Sequence, residues 1–205
     1  MGNLLLGRYF MNTKKAFALV LVVFGLSASA FAFDSNTFWK NYGGGLKHGD
    51  GLLSIGSSFG IESILYLSTY PGSIYIPPID ISYERMVLVN QKLPFSFGGY
   101  INTSMSFLRP DVYNKSSFWL WPTIGALAKY HFDFGVKNLD VYAGVRLGLG
   151  YNLYIYGGEF SPVIIPVRFD AAAILGLSYF FTDNFAISVE TGAPYLVTLR
   201  LAFKI

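Results

Sequence analysis

Cysteine is absent from all 205 residues, so the chain has neither disulfide staples nor a thiol for lipid anchoring. Charge is scarce too. Only 13% of residues are Asp, Glu, Lys or Arg, against 53% hydrophobic and 18% aromatic, more apolar surface than a soluble domain of this size can hide. The formal excess of +3 traces to Arg8, Lys14 and Lys15; beyond residue 32 acids and bases are equal in number. Without a basic face to release counterions, a nucleic-acid partner is excluded from the reading. Long apolar runs are also missing. No segment after residue 32 reads as a continuous apolar helix of the ~20 residues a helical span needs. Histidine is limited to His48 and His131, which leaves little for metal binding or acid–base catalysis.

What is present begins with a leader. From Met11, "MNTKK" is a basic start, "AFALVLVVFGL" an apolar core and "SASAFA" a small-residue cleavage stretch ending at Ala32. Residues 1–32 are expected to be a helical signal peptide whose true start is Met11, and residues 33–51 a flexible periplasmic lead-in. Its "GGGLKHGDG" lacks the GK[ST] ending and the following helix of a phosphate loop.

Beyond residue 51 the apolar period is two, the period of a strand with two different faces. Leu139, Val141, Ala143, Val145, Leu147, Leu149 and Tyr151 alternate with Asp140, Tyr142, Gly144, Arg146, Gly148 and Gly150. Eight such runs are expected, over 52–69, 74–89, 93–107, 118–134, 139–155, 163–181, 185–192 and 195–205. Their length suits tilted crossing of a membrane, and an even number suits closure into a barrel. Links two, four and six are short, at "NQK", "GVKN" and "TDN", as periplasmic turns should be. The outward sets carry Tyr130, Phe132, Phe134, Tyr179, Phe181, Phe185 and Phe203 near that end, where an interfacial aromatic girdle belongs. Arg85 breaks the pattern, because strict alternation turns it to lipid. It has either to snorkel to the headgroups or to be turned inward by a bulge.

The fold class is therefore all-β, an eight-stranded antiparallel transmembrane β-barrel over 52–205. The leader, the strand–turn–strand "LSYFFTDNFAISVETG" and the closing "YLVTLRLAFKI" resemble the small bacterial outer-membrane barrels of the OmpA, OmpX and OmpW type. The chain departs from many of them in ending on Ile205 rather than an aromatic residue. The resemblance implies residence in the cell outer membrane, and the short links two, four and six put the N-terminus in the periplasm. Its partners would be outer-membrane lipid and the barrel-assembly machinery, with no cofactor and no metal.

The inward face divides into two levels. Glu84, Lys129, His131, Asp133, Asp140, Arg146, Arg168, Asp170, Glu190 and Arg200 form a lumen ion network that should pair internally, because an unpaired buried ion is costly. The bland outcome is a polar plug; the other is a gated ion path through a lumen barely wide enough for its own side chains. Above it Ile64, Tyr66, Ile74, Ile76, Trp119, Trp121, Tyr154 and Ile164 are expected to form an apolar funnel. It would either bind small hydrophobic molecules or pack upon itself. Such a funnel is most similar to that of OmpW-like barrels, which implies a narrow conduit for small hydrophobic solutes. The alternative is a closed anchor or adhesin that displays external hairpins to host ligands. A lipid-modifying enzyme is not expected, since His131 would need a neighbouring nucleophile among serines such as Ser82 or Ser178.

Overall fold

The computed structural model describes residues 42–60, 63, 74–89, 93–108, 116–157, 159–160, 167–192 and 195–205. The chain divides into two units, Met1–Asp34 and Ser35–Ile205. The first lies outside the described residues, and the expected signal peptide with it.

Among the described residues the extended segments are β1 (Gly51–Gly60), β2 (Ile74–Val89), β3 (Leu93–Leu108), β4 (Ser117–Phe132), β5 (Leu139–Tyr151), β6 (Leu153–Tyr156), β7 (Glu159–Phe160), β8 (Val167–Phe180), β9 (Phe185–Gly192) and β10 (Tyr195–Lys204). They make eight staves. β5 and β6 share one register against β4 and are one stave interrupted at Asn152, while β7 pairs only with β6. The sheet runs β3-β2-β1-β10-β9-β8-β5-β4, and the antiparallel pairing of β3 with β4 closes it. Among the described residues, closure leaves no barrel stave with an unpaired edge.

Alternation decides which solvent each residue meets. Along β8 the exposed set Phe169, Ala171, Ala173, Leu175, Leu177 and Tyr179 alternates with buried Ala172, Ile174, Gly176, Ser178 and Phe180. The outside is apolar: Ile124, Phe169 and Ile101 are 64%, 69% and 57% exposed. The inside holds the ions and serines. This inversion of a soluble protein suits a chain whose outer solvent is hydrocarbon and whose polar groups must satisfy one another.

The strand ends Val89 and Leu93, Phe132 and Leu139, and Phe180 and Phe185 share one end of the barrel, here the turn end; the opposite end is the mouth. At the turn end the expected girdle, joined by Phe95, forms two arcs. Phe95, Tyr130, Phe132 and Phe134 touch ring to ring at 5.2, 4.9 and 6.4 Å. Tyr179, Phe181, Phe185 and Phe203 do so at 5.0, 6.3 and 5.4 Å. Arg85 stays outside within this belt, paired in register with Gly51 and Phe97, so it reaches the interface rather than the lumen.

The facing of β2 changes elsewhere. Pro77 and Pro78 cannot donate to the ladder, and the register slips by one residue between Ile76 and Ile79. Below the slip Asp80, Ser82 and Glu84 point inward; above it Ile74 and Ile76 stand opposite outward Phe107 and Met105. Ile74 and Ile76 therefore belong to the outer face and not to the funnel, and Tyr75, opposite Ser106, takes the inner one. A second slip between Tyr195 and Thr198 turns both Leu196 and Val197 outward.

The segment before β1 is ordered against the barrel rather than a loose lead-in. Residues 42–50 form a strap at the turn end, tied by Gly49 N–H to Met86 O at 2.9 Å and Met86 N–H to Asp50 O at 2.9 Å. Gly43 O accepts from Asn138 N–H, and Gly45 O from Lys204 Nζ at 3.0 Å. Leu46, 3% exposed, packs among inward Leu52, Met86, Phe180, Ala186 and Ala202, which are otherwise a hydrophobic floor without a lid.

Candidate functional site

The lumen above that floor is filled by one ion network. Lys129 Nζ contacts Glu84 Oε1 at 2.7 Å and Glu190 Oε1 at 3.1 Å. Arg146 Nη1 donates to Asp80 Oδ2 at 2.7 Å and its Nη2 lies 3.6 Å from Glu190. Arg200 donates through Nε to Glu190 Oε2 at 2.8 Å and through Nη1 to Asp80. Tyr142 donates to Glu190 Oε1 at 3.0 Å. Three cations thus meet three anions, all at most 3% exposed. Neutrality here is what makes the burial tolerable, since each ion has lost its water and must recover the loss from its partners.

Space is found by placing large inward side chains over inward glycines. A Cβ at Gly176 would lie 2.6 Å from the Tyr142 ring, and one at Gly144 would lie 2.9 Å from Lys129 Cγ. An eight-stranded lumen is only just wide enough for such side chains.

Nearer the turn end, His131 Nδ1 lies 2.8 Å from Asp140 Oδ1 and its Nε2 lies 3.0 Å from Ser96 Oγ. Tyr42 of the strap donates to the same Asp140 oxygen. Burial, with the Asp140 carboxylate beside it, pushes the Tyr42 phenol far above its ordinary range, so it remains a donor. A recess beside His131, lined by Leu46, Asp50, Leu52, Glu84, Met86 and Ser96, has room for about one water molecule.

On the mouth side, Tyr100 donates to Asp170 at 2.8 Å and Arg168 to Thr123 Oγ1 at 3.1 Å. Above them Trp121, Trp119, Tyr154 and Tyr156 stack in a ladder with centroid spacings of 5.8, 4.1 and 6.3 Å. The Tyr154 hydroxyl shares a 3.1 Å hydrogen bond with Ser117.

Of the residues expected in the network, Glu84, Lys129, Arg146, Glu190 and Arg200 meet in the central cluster, and His131 and Asp140 pair below it. Arg168 and Asp170 form separate contacts on the mouth side. Asp133 does not join. Its Oδ1 accepts from Gly135 N–H at 2.8 Å and caps the turn after β4, because the strand has already ended at Phe132. Asp80 was not among the expected residues. It is fully buried between two guanidiniums, and its signal was its place in the same even-numbered set as Glu84. Of the expected funnel, Trp119, Trp121 and Tyr154 come together, while Ile64, Tyr66 and Ile164 lie outside the described residues.

Inside and outside together define a closed, outer-membrane-type β-barrel that spans its bilayer with strands. No family model matches the chain and no curated protein matches it. Similar solved structures include Ail, the attachment invasion locus protein of Yersinia pestis, in complex with the heparin analogue sucrose octasulfate. That one has a TM-score of 0.48 and 12% identity, covering 77% of this chain and 99% of that one. The same Yersinia pestis outer membrane protein in a phospholipid bilayer nanodisc gives 0.39 and 14%, covering 77% and 100%.

Proposed function

We propose that the protein is a closed outer-membrane anchor, exported by its leader, that holds its mouth-end hairpins outside the cell and its turns and strap in the periplasm. The observation that carries this reading is the sealed lumen. Asp80, Glu84, Glu190, Lys129, Arg146 and Arg200 fill the mid-barrel in mutual contact, and Leu46 roofs the floor below. A conduit needs a path that these groups occupy. The 16-residue staves β3 and β4 support display. At about 3.3 Å per residue each is roughly 50 Å long, and at the usual tilt that still exceeds an apolar band of about 25 Å.

The test is to insert a short epitope after Gly72 in intact cells and, separately, to replace residues 61–73 by a two-residue turn. Antibody binding from outside is expected, with loss of attachment to host surfaces in the shortened variant while the barrel still folds. An epitope reached only after the outer membrane is permeabilised would refute the orientation, and undiminished attachment would refute the role of this hairpin.

A second reading, OmpW-like handling of small hydrophobic compounds, is supported by the Trp121–Trp119–Tyr154 ladder. With the lumen sealed beneath it, this reading is confined to binding at the mouth.

A further inference from the structure

Ser96, His131 and Asp140 stand in the order of a hydrolytic triad, at 3.0 and 2.8 Å. Proton accounting gives them another role. The single proton of Ser96 goes to Glu84 Oε2 at 2.5 Å, a carboxylate that also accepts from the Lys129 ammonium at 2.7 Å. A hydroxyl that has given its proton away can only accept, so His131 Nε2 must donate to it. Asp140 Oδ1, already accepting from Tyr42, accepts from His131 Nδ1 as well. On this accounting both ring nitrogens are donors, which would make His131 a cation rather than a base. Its charge completes a second balance, with Asp80, Glu84, Asp140 and Glu190 set against Lys129, Arg146, Arg200 and His131.

We infer that His131 is a buried imidazolium that latches the strap of residues 42–50 to the turn end, and that loss of one of its protons frees the strap. The groups facing it come from every neighbouring element. They are Asp140 and Tyr142 of β5, Ser96 of β3, Glu84 of β2 through Ser96, Lys129 on its own strand, and Tyr42 and Asp50 of the strap. The carboxylate holds the Nδ1 proton, so the proton that leaves is on Nε2. Its lone pair then faces the lone pairs of Ser96 across 3.0 Å. If Ser96 turns its proton toward the ring, Glu84 loses a donor instead. Either way a buried acceptor is left without a partner, and water must reach it. The recess on that side is roofed by Leu46 and Asp50, both on the strap. Lifting the strap lets the water in. It also uncovers the apolar floor of Leu52, Met86 and Phe180, so the device couples pH to exposure of a hydrophobic surface at the turn end.

The experiment uses the whole protein refolded in lipid with exposed His48 replaced (His48→Gln), so that one imidazole remains for ¹⁵N labelling. Near neutral pH both nitrogens of His131 are expected to read as protonated. As that signal is lost on raising the pH, the Gly49 and Met86 amides, which bond strap to barrel, should exchange faster. The gain should be about ten- to a hundredfold beyond the intrinsic effect of pH, the size of one lost hydrogen bond to a charged group. Amides of the β4–β5 ladder should not follow. His131→Gln should show fast strap exchange at every pH. A singly protonated ring near neutral pH, or strap exchange that tracks the intrinsic rate alone, overturns the latch. Should His131→Gln not fold, the ¹⁵N and exchange measurements on His48→Gln decide by themselves.

Discussion

Replacing Asp80 with asparagine removes the anion between two guanidiniums and is expected to cost about 3–5 kcal/mol of stability, the usual cost of breaking a buried ion pair from one side. The size follows from what the partners keep. Arg146 is left with Glu190 at 3.6 Å, and Arg200 with the same carboxylate at 2.8 Å. Glu190 would then serve both arginines while still sharing Lys129 with Glu84, and the amide nitrogen of the new side chain would face a guanidinium donor to donor. The buried cluster would carry an uncompensated positive charge. Restoring neutrality with Asp80→Asn plus Arg146→Gln should recover part of the loss, with a coupling energy of about 2–3 kcal/mol in the double-mutant cycle. Asp170→Asn is the internal control. Asp170 is half-buried and its described contact is the 2.8 Å bond from Tyr100, so about 1 kcal/mol is expected. The assay is reversible urea unfolding from lipid vesicles, followed by tryptophan fluorescence and checked by heat-modifiable migration on gels. Asp80→Asn within about 0.5 kcal/mol of the parent, or a double variant no better than the single one, would falsify the claim that this network is held by charge balance.

Two further outcomes are expected. Gly98→Ala should fail to close the barrel or lose at least about 2 kcal/mol, because its Cβ would fall 1.9 Å from the Tyr83 carbonyl oxygen, which is backbone and cannot rotate away; neighbouring Gly99→Ala, whose nearest contact is 3.3 Å, should lose under about 1 kcal/mol in the same assay. Trp119→Ala removes the middle rung of the mouth ladder and should lower stability by about 1–2 kcal/mol, leaving the barrel folded by circular dichroism.

Much of the barrel was legible in the chain, because one side of every stave meets hydrocarbon and the other meets polar partners, and a period of two records that directly. The girdle from Tyr130 to Phe203 was legible for the same reason. Alternation fails where a residue is added without a change of composition. Ile74 and Ile76 look like inward funnel residues until the Pro77–Pro78 slip reverses them, and apolar side chains above and below the slip give no clue to its position. Asp80, just past that slip, lay in the inward set all along. Asp133 shows the opposite limit: it keeps the phase of β4, but the strand ends one residue before it and its carboxylate turns back to cap Gly135. The strap was hidden for a further reason. "GGGLKHGDG" has the composition of a loose loop, and what orders it is the unroofed apolar floor that Leu46 covers, formed by residues distant in sequence. The pairing of Arg200 with Glu190 likewise depends on β9–β10 register, which no periodicity reports.

The most direct test of the sealed lumen is conductance of the refolded protein in planar bilayers, with folding verified on the same preparation by heat-modifiable migration. Wild-type protein is expected to insert without discrete openings across the voltage range. Steady, discrete conductance from folded wild-type protein would contradict it, because ions would then be passing through space that Asp80, Arg146, Glu190 and Arg200 are held to fill.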